Sequence, residues 1–234
     1  MNLKSILKSD DRASLVSVPF LMTTMGAIAF LFPIIMWLGQ FFDQGELALL
    51  GSISEYYYTA SGDLFVGLLF MIGVFLMAYT GFAKLDMYLS TLAGLFSMGI
   101  ALFPTGCALE YGYCENLCGE MCNQTTTLHF VFAALFLIIL MIFCFFIFTQ
   151  NSKRVYWRST FYFWTYFSSG VLMAIALLAI LIYKLLSFPP DHGIHWFRPI
   201  FVFETISLWA FGVSWMVKSN WLKDHLRKLE SGEK

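Results

Sequence analysis

Apolar positions in this chain run continuously, in six stretches separated by short polar segments, instead of recurring on one face of each element. The stretches cover approximately 15–39, 63–83, 87–105, 128–149, 160–186 and 197–217. A hydrocarbon core of about 30 Å needs roughly 20 helical residues to cross it, and each run meets or approaches that length. Lipid offers backbone N–H and C=O groups no partner, so such segments must be closed helices. Runs such as FVFAALFLIILMIFCFFIF lack the ten-residue alternation of a membrane β-barrel. The pattern predicts an all-α polytopic membrane protein, a bundle of six transmembrane helices in a single domain over 1–234, with a Cys-rich outer loop at 106–127.

Composition points the same way. Charged residues make up 12% of the chain and hydrophobic ones 59%. Soluble domains carry about 25% charged residues, so this chain lacks the polar groups to cover a globular surface. A formal net charge of -1 excludes a basic footprint for nucleic acid. Lys and Arg set the orientation. Lys4, Lys8, Arg12, Lys84, Lys153, Arg154, Arg158 and the five basic residues from Lys218 onward fall on one side of a six-span topology. Only Lys184 and Arg198 fall on the other. The positive-inside rule then puts both termini in the cytoplasm, and the expected location is a bacterial inner membrane. The first apolar run is too long for a signal-peptide core and has no A-x-A site after it, so an uncleaved N-terminus is expected.

The polar residues gather at the outward end. The segment GSISEYYYTASGDLFVG, residues 51–67, leads into the second span at Asp63. His129 begins span four, Arg198 begins span six, and Glu204 lies about two turns inside it. A carboxylate near mid-membrane costs about 2.5–3.5 kcal/mol on insertion scales, so Glu204 should face the bundle interior. Arg198 stands six residues earlier, outside i,i+4 reach, and Asp63 on another span is the expected third member of one buried network. Ser54, Tyr58, Asp63, His129, Arg198 and Glu204 are the residues expected to line an outward polar pocket. Ser52 or Ser54 as a nucleophile would need a positioned base, and none is adjacent in sequence.

Other features carry their own expectations. Cys107, Cys114, Cys118 and Cys122 share one outer loop without Lys or Arg. In an oxidising compartment an even count favours two disulfides with the pairing open, and a four-thiolate metal site is the alternative. DHGIH with His129 could gather imidazoles around zinc, although H-x-x-H in a loop with Pro189, Pro190 and Gly193 fits ordinary loop histidines better. No metal and no cofactor are therefore assigned. YWRSTFYFWTYF reads as an interfacial aromatic belt. Ala93, Ser97 and Ala101, spaced by four, form a small-residue stripe for close helix packing, and Pro33 is placed to kink span one.

The segments SISEYYYTASGDLFVG, GVFLMAYTGF, LAGLFSMGIALFPT, HFVFAALFLIIL and FETISLWAFGVSW together resemble bacterial membrane proteins grouped as DUF998, over most of residues 50–218. The resemblance implies a helical membrane bundle and no established activity. A more distant similarity is to the CREST superfamily of membrane hydrolases, which includes alkaline ceramidases. That similarity implies zinc held by Ser-x3-His, a following Asp and a late His-x3-His. Ser54 and Asp63 could occupy the first Ser and the Asp, but Tyr58 stands where the motif has His, and FETISLW lacks His-x3-His. The leading expectation is a membrane protein that binds or processes a lipid or small amphiphile. The alternatives are a small-solute or proton pathway through Asp63 and Glu204, and a structural subunit of a membrane complex.

Overall fold

The computed structural model describes residues 17–45, 49–81, 83–106, 122–149, 159–186 and 197–231. They fold into six helices: α1 (Val18–Gln44), α2 (Gly62–Ala78), α3 (Lys84–Leu102), α4 (Cys122–Ile142), α5 (Ser159–Leu186) and α6 (Pro199–Ser231). A 310 turn, Ile53–Tyr58, precedes α2, and α4 continues as a π-helical segment over Phe143–Phe148. Among the described residues there is no strand.

Five of these helices are long and apolar enough to cross a membrane: Val18–Phe42, Lys84–Leu102, Gln124–Phe148, Phe161–Leu186 and Pro199–Asn220. The second expected span is shorter than the sequence suggested. α2 has 17 residues, about 26 Å of helix, and ends at Ala78 where 83 was expected. Its stop is local: Tyr79 adopts extended backbone, and Gly81 follows at φ 63°, a left-handed conformation that L side chains resist. The chain needs this tight reversal to start α3 at Lys84. α6 runs on past Asn220 into the polar tail, so its 33 residues exceed any single crossing.

Each helix packs against its neighbours in sequence, and α1 closes the ring against α6. α4 and its π segment also touch α6 across the ring. Adjacent helices are antiparallel. Near the start of α1, Ser219 of α6 donates to Pro19 O at 2.6 Å, while the end of α1 approaches the start of α2 at Gly39 and Ser61. The bundle therefore has two distinct ends. The 310 turn sits at one, in contact with α1, α2 and α6. The other gathers the end of α2, the starts of α1 and α3, and the π segment.

Glycines set the closest crossings. A Cβ on Gly94 of α3 would lie 2.5 Å from Gly73 O of α2, and one on Gly73 would lie 2.9 Å from Gly94 O. Gly26 of α1 and Gly212 of α6 approach in the same reciprocal way, at 2.6 Å from each other's carbonyl. Such contacts are how membrane helices associate when lipid supplies no hydrophobic drive between them. The expected stripe is present: Ala93, Ser97 and Ala101 are all buried, and Ser97 donates across to Leu69 O at 2.8 Å. The core is aromatic and sulfur-rich, with Met22, Met25, Met36, Phe65, Phe143, Phe148, Phe211 and Trp215 fully buried. The outside is apolar as well. On α5 alone Leu172, Ile175, Leu178, Leu181, Ile182 and Leu185 are exposed, a stripe suited to lipid and not to water. The chain is an integral membrane protein in character, and the bilayer is its solvent.

Candidate functional site

The polar end is organised by the 310 turn, which plugs the ring. Ser52 lies before it in extended backbone, Ile53 and Tyr56 bury their side chains, and Thr59 closes it through bonds from its N–H and hydroxyl to Tyr56 O. Tyr56 packs on Phe201 of α6 with ring centroids 6.0 Å apart, and Tyr57 packs edge-on against Phe65 of α2 at 6.3 Å. Phe201 N–H, near the start of α6, donates to Gly51 O at 3.1 Å. This satisfies one of the donors that a helix start leaves open.

Three long-range hydrogen bonds fix the plug to α6, to the segment just after α3 and to α4. Ile53 N–H donates to Glu204 Oε2 at 2.7 Å. Tyr58 donates its phenol proton to Thr105 O, just beyond α3, at 2.5 Å. Ser54 Oγ lies 2.9 Å from His129 Nε2 on α4. On the other side of the same ring, His129 Nδ1 is 2.7 Å from Phe103 O. A carbonyl oxygen only accepts, so Nδ1 carries the proton and donates it. Nε2 of the neutral ring is then an acceptor, and Ser54 donates its hydroxyl proton to it. The histidine is buried at 1% exposure, whereas Ser54 is partly exposed.

Glu55 neighbours this pair. Its carboxylate accepts Gly51 N–H at 2.8 Å and the Ser52 hydroxyl at 3.4 Å. Burial pushes its carboxyl above the usual range, opposed by those two donors and by the positive charges of Arg198 and Lys184. The Tyr58 phenol is likewise raised, chiefly by burial and further by Tyr57. Lys184 Nζ stands 4.6 Å over the Phe130 ring, a cation–π contact that holds the α5 terminus near the start of α4. Arg198 has φ 48°, the only positive φ on a non-glycine among the described residues. It turns the chain into α6 immediately before Pro199.

The sequence-expected residues therefore divide. Ser54, Tyr58, His129 and Glu204 come together through the plug, and partly buried Arg198 acts on it through Glu55. Asp63 does not join them: it is exposed in the first turn of α2. Glu204 is held by a backbone N–H and lies within electrostatic reach of Glu55 and Lys184. That replaces the expected pairing with Asp63. The difference is geometric: Gly62 is buried against Tyr57 O, and Asp63, the next residue of the first turn, is exposed. An exposed carboxylate at a helix start needs no buried partner, because it faces the positive end of the helix dipole.

Glu55 and Lys184 were not expected in the site. Glu55 could have been singled out as a carboxylate inside an apolar loop, and Lys184 as one of only two cations on its side. Cys107, Cys114, Cys118, Asp191, His192 and His195 lie outside the described residues, and of Cys122 only the backbone is described. Cys144 is a free, buried thiol hydrogen-bonded with Ser214 at 3.1 Å. Among the described residues no three His, Cys, Asp or Glu side chains converge as a metal site would require. Comparison with protein-family models, curated proteins and solved structures finds no match.

Proposed function

We propose that the plug end receives the polar head of a lipid or small amphiphile, and that Ser54 attacks its acyl carbon with His129 as general base. The observation that carries this is the Ser54–His129–Phe103 relay: a hydroxyl on an acceptor nitrogen, with the opposite nitrogen's proton tied to a carbonyl. A serine hydroxyl is a weak nucleophile until a neighbouring base takes its proton, and a third group must hold the base in the right tautomer. Phe103 O supplies that third contact. The chemistry balances with water alone. Ser54 Oγ forms the new ester bond, its proton passes to Nε2, and His129 returns it to the departing alcohol or amine. Water, activated by the same nitrogen, then releases the acid and restores Ser54.

The surroundings support an amphiphile. Ser54 is partly exposed at one end of a bundle whose outer surface is apolar, so a chain in the bilayer can lie along the helices while its head reaches the plug. Lys184 and Arg198 put positive charge beside Glu55, which suits an anionic head and a developing oxyanion. In the same reading the plug end faces outward from a bacterial inner membrane and both termini are cytoplasmic, because Lys84 and Lys218 lie at the opposite end. The test is turnover of p-nitrophenyl esters of increasing acyl length by the full chain in nanodiscs. Hydrolysis should rise with chain length and fall by about a thousandfold or more in Ser54→Ala. Equal turnover in Ser54→Ala would overturn the catalytic part of the reading.

A further inference from the structure

The opposite end of the bundle contains a second polar cluster that the plug chemistry does not use. Tyr79 after α2, Tyr166 on α5, and Trp215 and Lys218 on α6 are all buried at 0% exposure. Among the described residues the Tyr79 hydroxyl, the Tyr166 hydroxyl and Trp215 Nε1 have no hydrogen-bond partner. Their rings form one connected set: Tyr79 and Trp215 lie 5.0 Å apart, Trp215 and Phe148 5.4 Å, and Phe148 and Tyr166 5.4 Å. Lys218 Nζ stands 5.6 Å from the Phe148 ring centroid and 5.8 Å from that of Tyr166. The two phenols lie within electrostatic reach of each other, as Asp86 does of Lys218.

We propose that this cluster is a binding site for an oxyanion, a phosphate or carboxylate group that accepts from Tyr79, Tyr166 and Trp215 beside the Lys218 ammonium. Buried donors left without partners carry their full desolvation penalty, so three in one cluster point to an occupant. The type of occupant follows from the donors. An indole N–H and an ammonium can only donate, and both phenols can do so. Among the described residues no neighbouring side chain accepts from the two phenols or the indole. Ser90 donates to Tyr79 O at 2.9 Å, Ser214 donates to Ala210 O at 2.8 Å, and Asp86 Oδ2 takes Ala83 N–H at 3.2 Å. A group with several anionic oxygens matches the open donors of Tyr79, Tyr166 and Trp215. The π-helical run Phe143–Phe148 lies against the cluster, and such widened turns are frequent at functional sites. Access is short, because Lys218 is two residues from Asn220, where the apolar stretch of α6 ends.

The test uses the full chain with indole-15N tryptophan, the Trp215 resonance being assigned from Trp215→Phe. Inorganic phosphate, acetate, and nanodiscs doped with phosphatidic acid are the three probes, with chloride at matched ionic strength as the control. The expected result is a saturable shift of the Trp215 signal, with affinity about ten- to a hundredfold weaker in Lys218→Met and in the Tyr79→Phe/Tyr166→Phe double variant. The double variant keeps the ring packing, so it reads binding even where Lys218→Met fails to fold. A response to the free ions marks a soluble oxyanion, and a response to phosphatidic acid alone marks a lipid head. No shift with any probe, or an equal shift with chloride, would overturn the proposal.

Discussion

At the residue scale, the Ile53 N–H explains how a carboxylate can stand two turns into an apolar helix. Glu204 serves as the acceptor for a backbone donor that the plug would otherwise leave open. Glu204→Gln should keep that acceptor and lower stability by less than about 1 kcal/mol, whereas Glu204→Leu should cost about 1–3 kcal/mol. Thermal unfolding in detergent compares the two. Because Asp63 is exposed and apart, Asp63→Asn combined with Glu204→Gln should be additive within about 0.5 kcal/mol. Glu55 makes a pH prediction. Its carboxyl is raised by burial, so the folded state holds its proton more tightly than the unfolded chain does. Its stabilising contribution is complete below the ordinary carboxylate range and is lost as pH rises through the raised folded value. The melting temperature should therefore fall across that window, and the fall should be shallower in Glu55→Gln.

At the scale of the elements, helix crossings and the plug depend on different sequence signals. One crossing was legible in part: Ala93, Ser97 and Ala101 recur at helical spacing, as close helix packing in a membrane requires, whereas the Gly73–Gly94 and Gly26–Gly212 contacts were not singled out. Gly94→Ala should cost about 1–3 kcal/mol, because its new methyl would lie against Gly73 O and the Met77 side chain. Gly67→Ala has open space around it and should be neutral or stabilising by up to about 1 kcal/mol. Unfolding of the two variants side by side tests whether contact and not helix propensity decides. The end of α2 was not legible. MAYTGF continues the apolar run without interruption, and only the backbone at Tyr79 and Gly81 reveals the turn.

At the scale of the whole molecule, the ring topology accounts for what the sequence could and could not give. Apolar run length announced a helical membrane bundle, and the positions of Ser54, Tyr58, His129 and Glu204 along the runs put them at one end. Their partners could not be read. Ser54 and His129 are 75 residues apart, Ile53 and Glu204 151 apart, and nothing in local spacing encodes which helices become neighbours. Asp63 was misjudged for the same reason, because the side to which a residue turns at a helix start depends on packing beneath it. The ring also makes a topological prediction. Reporter fusions after Lys234 and in the 310 turn near Tyr57 should report opposite compartments. The same compartment at both would break the antiparallel order of the six helices.

The claim that matters most is that Ser54 is an activated hydroxyl, and reaction with a fluorophosphonate addresses it directly. The full chain in nanodiscs should take up one adduct, mapped by mass spectrometry to Ser54. Labelling should vanish in Ser54→Ala and nearly vanish in His129→Gln, whose amide can still bridge to the plug and whose melting temperature reports the retained fold. An adduct at another residue, no adduct at all, or undiminished labelling of His129→Gln would contradict the account and leave the Ser54–His129 bond as a structural tie.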